Sequence, residues 1–166
     1  ENYTDRCKRL IQSAHTEATR SGHQQLLPEH ILKALIEDKE GLASALIGAS
    51  GGNIEKVHRE LLTALNRVPE VHGTGAGQIF ISSDLSKMLA LAEELSKKEL
   101  DGFVTAEYLL LALTLTKDTD SFGILNENSV TPENIKIAIA DMRKGRSANT
   151  ANAEDNYDAL RKYGQD

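Results

Sequence analysis

Two acidic residues, Asp101 and Glu107, are the side chains whose spacing most suggests polar chemistry. Asp101 begins an Asp-Gly turn, and Glu107 stands in the first turn of the helix predicted to follow it. A carboxylate in the first turn of a helix is stabilised by about 0.3–1 kcal/mol through the helix dipole. Spacing alone therefore favours turn and helix-start roles for this pair over a binding role.

The other reactive side chains give little support for a nucleophilic or metal-binding site. The single cysteine, Cys7, excludes an internal disulfide, and it shares an apolar stripe with Leu10, which predicts a buried structural thiol. None of the five histidines has a second ligand at metal-binding spacing. His15 and His58 are predicted on solvated helix faces, and His30 in a packing role.

The glycine-rich segment 73–77 is interpreted as a linker. It lacks the Lys-Ser/Thr that completes a phosphate-binding P-loop, and no credible strand precedes it. The sequence contains no Gly-x-Ser-x-Gly nucleophile turn either. We therefore predict no catalytic, cofactor-binding or metal-binding residue in the chain.

Composition limits the classes of protein to which the chain can belong. Its 166 residues suffice for one full domain or two closely packed half-domains, and only 4% of them are aromatic. The net charge of −6 argues against nucleic-acid binding, which needs clustered Lys and Arg. No apolar run approaches the ~20 residues that span a bilayer, and the charged first 20 residues are not a signal peptide. The sequence thus predicts a soluble helical protein that suits a reducing cytoplasm.

Residues 4–66 and residues 82–144 carry the same apolar pattern, displaced by 78 positions without a gap. The segment 27–35 falls on the segment 105–113, and apolar positions coincide along the whole length although identities are few. A repeat of this length predicts a small helical bundle that stacks on its neighbour, because one copy cannot bury its apolar face alone. We therefore predict an all-α domain over residues 1–144, in which two tandem four-helix repeats pack as one pseudo-twofold eight-helix body.

Periodicity and capping residues place the individual elements. The linker 67–81 ends in the apolar strip 79–81, predicted either as a short strand or as a plug against the core. Residues 145–166 are predicted to form a flexible connector and the start of a helix with little to pack on, which implies further domains. Helices are predicted over 4–20, from Pro28, over 42–47, after Asn53, after Ser82 or Ser83, after Thr105, over 122–125 and after Thr131.

The doubled segments at 29–35 (Glu-His-Ile-Leu-Lys-Ala-Leu) and 107–113 (Glu-Tyr-Leu-Leu-Leu-Ala-Leu) resemble the Clp N-terminal domain. That domain is the all-helical cap of the Clp/Hsp100 ATPases, and the resemblance covers residues 4–144 without a break. The flanking segments 64–75 and 153–164 are similar to those of the ClpB disaggregases, and less similar to those of the protease-partner relatives ClpA and ClpC.

The resemblance implies a substrate-docking domain that engages exposed segments of unfolded or aggregated polypeptide and helps to pass them to an ATPase ring. Three positions that the family ties to substrate handling match Thr4, Asp101 and Glu107. The acidic pair is accordingly expected on the surface, at the rim of an apolar groove. We expect Leu89 and Tyr108 to line that groove, with a position in the core as the open alternative, above all for Leu89.

The resemblance also implies partners and cofactors. The expected partners are unfolded clients, the rest of the ring of a bacterial cytoplasmic chaperone and, through other domains, the DnaK system. ATP and Mg²⁺ are expected in ATPase modules that lie outside these residues. The chain itself is expected to be a monomer without catalytic activity.

Two other functions stay open at this point. One is an adaptor-binding N-domain of a ClpA-like or ClpC-like unfoldase, whose partner is a single folded protein, although the flanking segments argue against it. The other is an enzyme with an unrecognised site, which would show turnover by the chain alone.

Overall fold

The helices dominate the computed structural model, which describes residues 2–73, 77–99 and 102–148, with side chains as far as Lys144. Within these ranges the chain forms eight helices and two strands of two residues each, so the predicted all-α class is confirmed. The elements are α1 (Asp5–Arg20), β1 (Gln25–Leu26), α2 (Pro28–Glu37), α3 (Leu42–Ala49), α4 (Ile54–Asn66), β2 (Phe80–Ile81), α5 (Ser83–Lys98), α6 (Ala106–Leu115), α7 (Asp120–Glu127) and α8 (Pro132–Ala148).

Local sequence determines where the helices begin. The side chains of Thr4 and Ser82 cap α1 and α5, since each accepts a 3.0 Å hydrogen bond from the backbone N–H three residues further on. Asn53 caps α4 in the same way, at 3.1 Å. Pro28 and Pro132 stand at the first positions of α2 and α8, where a missing N–H costs nothing.

The two shortest helices are longer than predicted. The third runs to Ala49 rather than to residue 47, and the seventh begins at Asp120 rather than at residue 122. The earlier start follows from Thr119, whose Oγ1 accepts a 3.0 Å hydrogen bond from the Phe122 N–H and so caps the helix.

The last helix, α8, also extends beyond its predicted end. It continues to Ala148, past residue 145, where the flexible connector was expected to begin. A glycine such as Gly145 costs a helix only about 1 kcal/mol, so it does not terminate one by itself. The remainder of the expected connector, residues 149–166, lies outside the described residues, and the division of the chain into domains stays a prediction.

One displacement relates all the helices of the two repeats. A shift of 78 positions carries α1, α2 and α3 onto α5, α6 and α7 to the residue, and α4 begins 78 positions before α8. Contacts between the repeats also occur in pairs: α4 packs on α7 as α8 packs on α3, and α2 contacts α7 as α6 contacts α3. The buried apolar residues of both repeats form one continuous cluster. The eight helices therefore pack as one pseudo-twofold body.

The short extended segments are exchanged between the repeats. β2 leads into α5, yet it pairs in parallel with β1, which leads into α2 of the other repeat. At the equivalent place Tyr3, which leads into α1, forms a parallel bridge with Val104, which leads into α6. The hydrogen bonds correspond as well: the Ser82 N–H donates to the Leu26 carbonyl and the Thr4 N–H to the Val104 carbonyl, both at 3.1 Å. Each repeat is thus tied to the other by the residues that precede its first helix.

Residues 80 and 81 of the strip 79–81 form a strand, whereas Ile79 packs partly buried against the core. The backbone of this strand pairs with β1, and the side chains of Phe80 and Ile81 are 62% and 56% exposed. Since the register is fixed by backbone hydrogen bonds, these apolar side chains are not drawn into the core.

Candidate functional site

The predicted acidic site centres on Glu107, in the first turn of α6. Its side chain is only 3% exposed. Thr105, at the N-cap position, donates from Oγ1 to Glu107 Oε1 at 2.8 Å instead of capping the helix. Arg143 of α8 supplies the opposite charge, with Nε 3.3 Å from Oε2 and Nη2 3.4 Å from Oε1. The expectation of a surface carboxylate is therefore wrong for Glu107, because an arginine from another helix compensates its burial.

Arg143 also contacts Tyr108, the next residue of α6. Its Nη2 lies 3.4 Å from the Tyr108 hydroxyl, and its guanidinium carbon lies 5.6 Å from the centre of the ring. Burial alone would lower the pKa of Arg143, but the charge of Glu107 and the hydrogen bonds to Glu107 and Tyr108 outweigh burial and raise it. Tyr108 is 2% exposed and the Arg143 side chain 30%. Thr105, Glu107, Tyr108 and Arg143, here called the Glu107 cluster, therefore meet solvent through Arg143 and Thr105.

Thr4, from the other repeat, reaches this cluster through the exchanged segment. Its N–H donates to the carbonyl of Val104, the residue before Thr105. Its Oγ1 accepts the hydrogen bond from the N–H of Cys7, which is fully buried as predicted. Burial raises the pKa of the Cys7 thiol to about 12, and the charge of Glu107 contributes in the same direction. The structure thus brings Thr4 and Glu107 together, although Thr4 itself is only 1% exposed.

Outside this cluster, Leu89 and an additional residue, Phe103, are apolar side chains of repeat two that remain partly exposed. Leu89 is half-buried and lies one turn before Glu93, whose Oε2 accepts a 2.8 Å hydrogen bond from the Tyr3 hydroxyl. Residues four apart share a face of a helix, so Leu89 lies on the side of α5 that faces Tyr3. Phe103 adjoins Val104, the bridge partner of Tyr3, and is 42% exposed. We call Tyr3, Leu89 and Phe103 the Phe103 corner.

Of the five residues proposed from the sequence, Asp101 lies outside the described residues. Thr4, Glu107 and Tyr108 come together but are buried, and Leu89 is half-buried on α5, packed partly against the core. Sequence reasoning missed Arg143 and Phe103. Their counterparts at a shift of 78 are Leu65 and Gln25, but a difference between the repeats does not by itself single out a position, because identities between them are few.

The histidines behave largely as predicted. His15 is exposed, and His30 is buried in a packing role, hydrogen-bonded to His23. His58 is half-buried instead of freely solvated, because its Nε2 lies 2.7 Å from Glu37 Oε2. In the described ranges no group of three or more His, Cys, Asp or Glu side chains could hold a metal ion. Nor is any helix in those ranges long and apolar enough to cross a membrane.

The fold defines a class of protein: an all-α domain of two four-helix repeats joined by exchanged strands. Residues 2–128 match the family described as the Clp repeat (R) N-terminal domain. The chain belongs to this family, as its repeated segments suggested.

Known relatives place the chain more closely within the family. Over all 166 residues it is 46% identical to the chaperone protein ClpB of Rhodopseudomonas palustris and 49% identical to that of Brucella suis, and it spans 19% of the length of each. The N-terminal domain of Hsp104 from Candida albicans has the same fold, with a TM-score of 0.74 over 86% of this chain and 92% of that one, at 24% identity. The chain is thus a Clp N-terminal domain similar to those of ClpB and Hsp104 chaperones.

Proposed function

We propose that the chain docks unfolded or aggregated polypeptide for a ClpB-like disaggregase, and that the Phe103 corner contacts the client. The observation that carries the proposal is the 42% exposure of Phe103 directly beside the segment that joins Thr4 to Glu107. An exposed aromatic side chain offers apolar area at low entropic cost. In this proposal Thr4 and Glu107 hold the corner in place, and the client touches Tyr3, Leu89 and Phe103.

Further apolar surface on repeat two supports the proposal. In repeat one a groove of about 470 Å³ lies between α1 and α2 and is lined largely by polar side chains. Four polar positions of this groove are replaced between α5 and α6 by apolar residues, which are mostly half-buried. The residues of the first groove Gln12, Ser13, Glu17 and Glu37 have as counterparts Ala90, Leu91, Leu95 and Leu115.

A contact of this kind suits a protein with many clients. A small apolar surface gives area-driven attraction that tolerates different sequences. Binding is expected to be weak, because an unfolded segment loses conformational entropy when it docks. The net charge of −6 favours clients that carry Lys or Arg beside their apolar segments.

The remaining activity belongs, in this proposal, to parts of the protein beyond this chain. ATPase modules that bind ATP and Mg²⁺ would form the ring to which the client is passed, in a bacterial cytoplasm, with the DnaK system acting through other domains. The docking domain would itself catalyse no reaction.

Exchange of Phe103 tests the proposal. We expect Phe103→Gln, which introduces the residue type of Gln25, to weaken binding of fluorescently labelled unfolded casein to the 166-residue chain about fivefold. A bound client would bury the exposed part of the Phe103 side chain, and this burial is expected to contribute roughly 1 kcal/mol, which corresponds to a factor of about five in affinity. Fluorescence anisotropy measures the binding, and circular dichroism verifies the fold.

Phe80→Gln is the matched control, because Phe80 is equally aromatic and more exposed but lies on β2. It should change casein affinity less than twofold. Equal losses of casein affinity in the two variants would mean that the client contact is not specific to Phe103. The docking proposal itself would be contradicted if the unaltered chain did not bind casein but bound one folded adaptor tightly and saturably.

A further inference from the structure

Two buried histidines, His23 and His30, form a hydrogen-bonded pair in repeat one. They are 6% and 1% exposed, and His23 Nδ1 lies 2.8 Å from His30 Nε2. On the other side of its ring, His30 Nδ1 accepts a 2.9 Å hydrogen bond from the backbone N–H of Leu27. The pair therefore lies between the end of α1 and the start of α2.

The hydrogen bonds fix the proton positions. The Leu27 N–H can only donate, so His30 Nδ1 carries no proton and the proton of a neutral His30 is on Nε2. That proton is donated to His23 Nδ1, and neutral His23 then carries its own proton on Nε2. A further proton on either ring must be added at an atom that already accepts a hydrogen bond. Protonation of His23 or of His30 thus breaks one link of the chain.

The segments beside the pair hold the two repeats together. Gly22, the neighbour of His23, accepts a 2.7 Å hydrogen bond from the N–H of Val71 in the linker. Gln24 and Leu26 follow closely, and their carbonyls accept the hydrogen bonds from the N–H groups of Phe80 and Ser82 that hold β2. Loss of the pair would therefore loosen the linker, β1 and β2 together, and it would uncover Leu26, which is 3% exposed.

The charged groups around the pair come from three segments. Glu17 of α1 and Glu70 of the linker face His23, and Lys33 of α2 faces His30. Glu70 is also bonded to His72, which lies against Gly22. Burial lowers the pKa of His23 although both carboxylates oppose it, and burial, His23 and Lys33 lower the pKa of His30 to about 4. The α4 residues that line the small cavity here carry no charge: Leu62, Leu65 and Asn66.

We propose that the His23–His30 pair is an acid-sensitive latch whose protonation releases β1, β2 and the inter-repeat linker from the helices of repeat one. The histidines bind protons more readily when the latch is open than when it is closed, so acidification favours the open state. Opening increases as the pH falls from about 6.5, the ordinary pKa of histidine, and levels off near the pKa of His30, about 4. The apolar strand residues become accessible as a consequence.

Repeat two provides an internal control, since a tyrosine, Tyr108, occupies the position of His30 there. The N–H of Ser82 holds β2 to β1, and its counterpart, the N–H of Thr4, holds the equivalent bridge. Amide hydrogen exchange of the 166-residue chain, followed by NMR and corrected for the intrinsic rate, reports opening at each place.

Between pH 7.5 and pH 5 the opening constant at Leu27 and Ser82 should rise about 30-fold relative to that at Thr4, as linkage requires for one histidine with these pKa values. The double variant His23→Gln/His30→Gln should remove the difference, and His23→Gln alone should reduce it. Equal pH dependence at Ser82 and Thr4 would overturn the latch. Titration of the His30 ring near pH 6.5 in an unchanged fold would also overturn it, and this measurement needs no variant.

Discussion

Glu29 and Glu107 occupy the same position in the two repeats, yet different partners hold them. Each is a buried carboxylate in the first turn of a helix, 6% and 3% exposed respectively. Glu29 accepts hydrogen bonds from the N–H and the hydroxyl of Ser121, at 2.8 and 2.7 Å, so it binds the start of α7 in the other repeat. Glu107 is paired with Arg143 of its own repeat. One glutamate thus joins the repeats, whereas the other belongs to a charged cluster near the surface.

The difference follows from two substitutions between the copies. The counterpart of Ser121 is Ala43, which has no hydroxyl to donate, and the counterpart of Arg143 is Leu65, which has no charge. Burial raises the pKa of Glu29, although its hydrogen bonds from Ser121 oppose the rise. A duplicated scaffold can therefore keep a buried carboxylate at both positions while only one of them acquires a cation.

Removal of the Glu107 side chain is expected to have the largest effect. Glu107→Ala removes the carboxylate that pairs with the partly buried Arg143, and we expect a loss of about 3 kcal/mol in the free energy of unfolding. Glu29→Ala leaves only neutral donors unsatisfied, for which about 1–2 kcal/mol is expected. Urea unfolding at pH 7, followed by circular dichroism, measures both.

The pairing can be separated from simple loss of volume. In a double-mutant cycle, Glu107→Gln and Arg143→Leu should be less costly together than the sum of the single changes, by about 1–3 kcal/mol. Additive losses would mean that the ion pair contributes nothing and that the two glutamates differ only in their packing.

Spacing in the sequence predicted the helices well, because helices such as α1 and α4 bury an apolar stripe that periodicity reveals. It did not predict the partner of Glu107, since Arg143 lies 36 residues away and meets it only after α6 and α8 have packed. The exchanged segments were also beyond reach. Strands as short as β1 (Gln25–Leu26) carry no periodicity, and their pairing depends on how the repeats dock.

The two equivalent caps, Thr4 and Ser82, allow a more moderate test. Each accepts one hydrogen bond from a backbone N–H at 3.0 Å, so Thr4→Ala and Ser82→Ala should each lower the free energy of unfolding by about 1 kcal/mol. Only Thr4 adjoins the Glu107 cluster, and only Thr4→Ala should also weaken the binding of unfolded casein. Thermal unfolding and fluorescence anisotropy give the two readouts. Equal loss of binding in both variants would trace the effect to stability alone.

The smallest effect is expected for Glu29→Gln, because the amide oxygen can still accept both hydrogen bonds from Ser121. The pKa of Glu29 is raised above its ordinary value of 4.5, so its contribution to stability is fully present below that value and is lost as the pH rises through the higher pKa of the fold. Glutamine imitates the protonated acid and does not suffer that loss. At pH 7 the variant should therefore match or slightly exceed the unaltered chain, by less than about 1 kcal/mol.

The pH dependence separates the two glutamates most directly. Any advantage of Glu29→Gln should shrink as the pH falls toward 4.5, since the natural carboxyl then binds a proton in the fold. Glu107→Gln, by contrast, should be clearly destabilising at pH 7, because it removes the negative charge that pairs with Arg143. Urea unfolding of both variants at pH 7 and pH 5 is the measurement. A Glu29→Gln variant as unstable as Glu107→Gln would show that Glu29 also depends on its charge, and the contrast between the repeats would then lie in geometry alone.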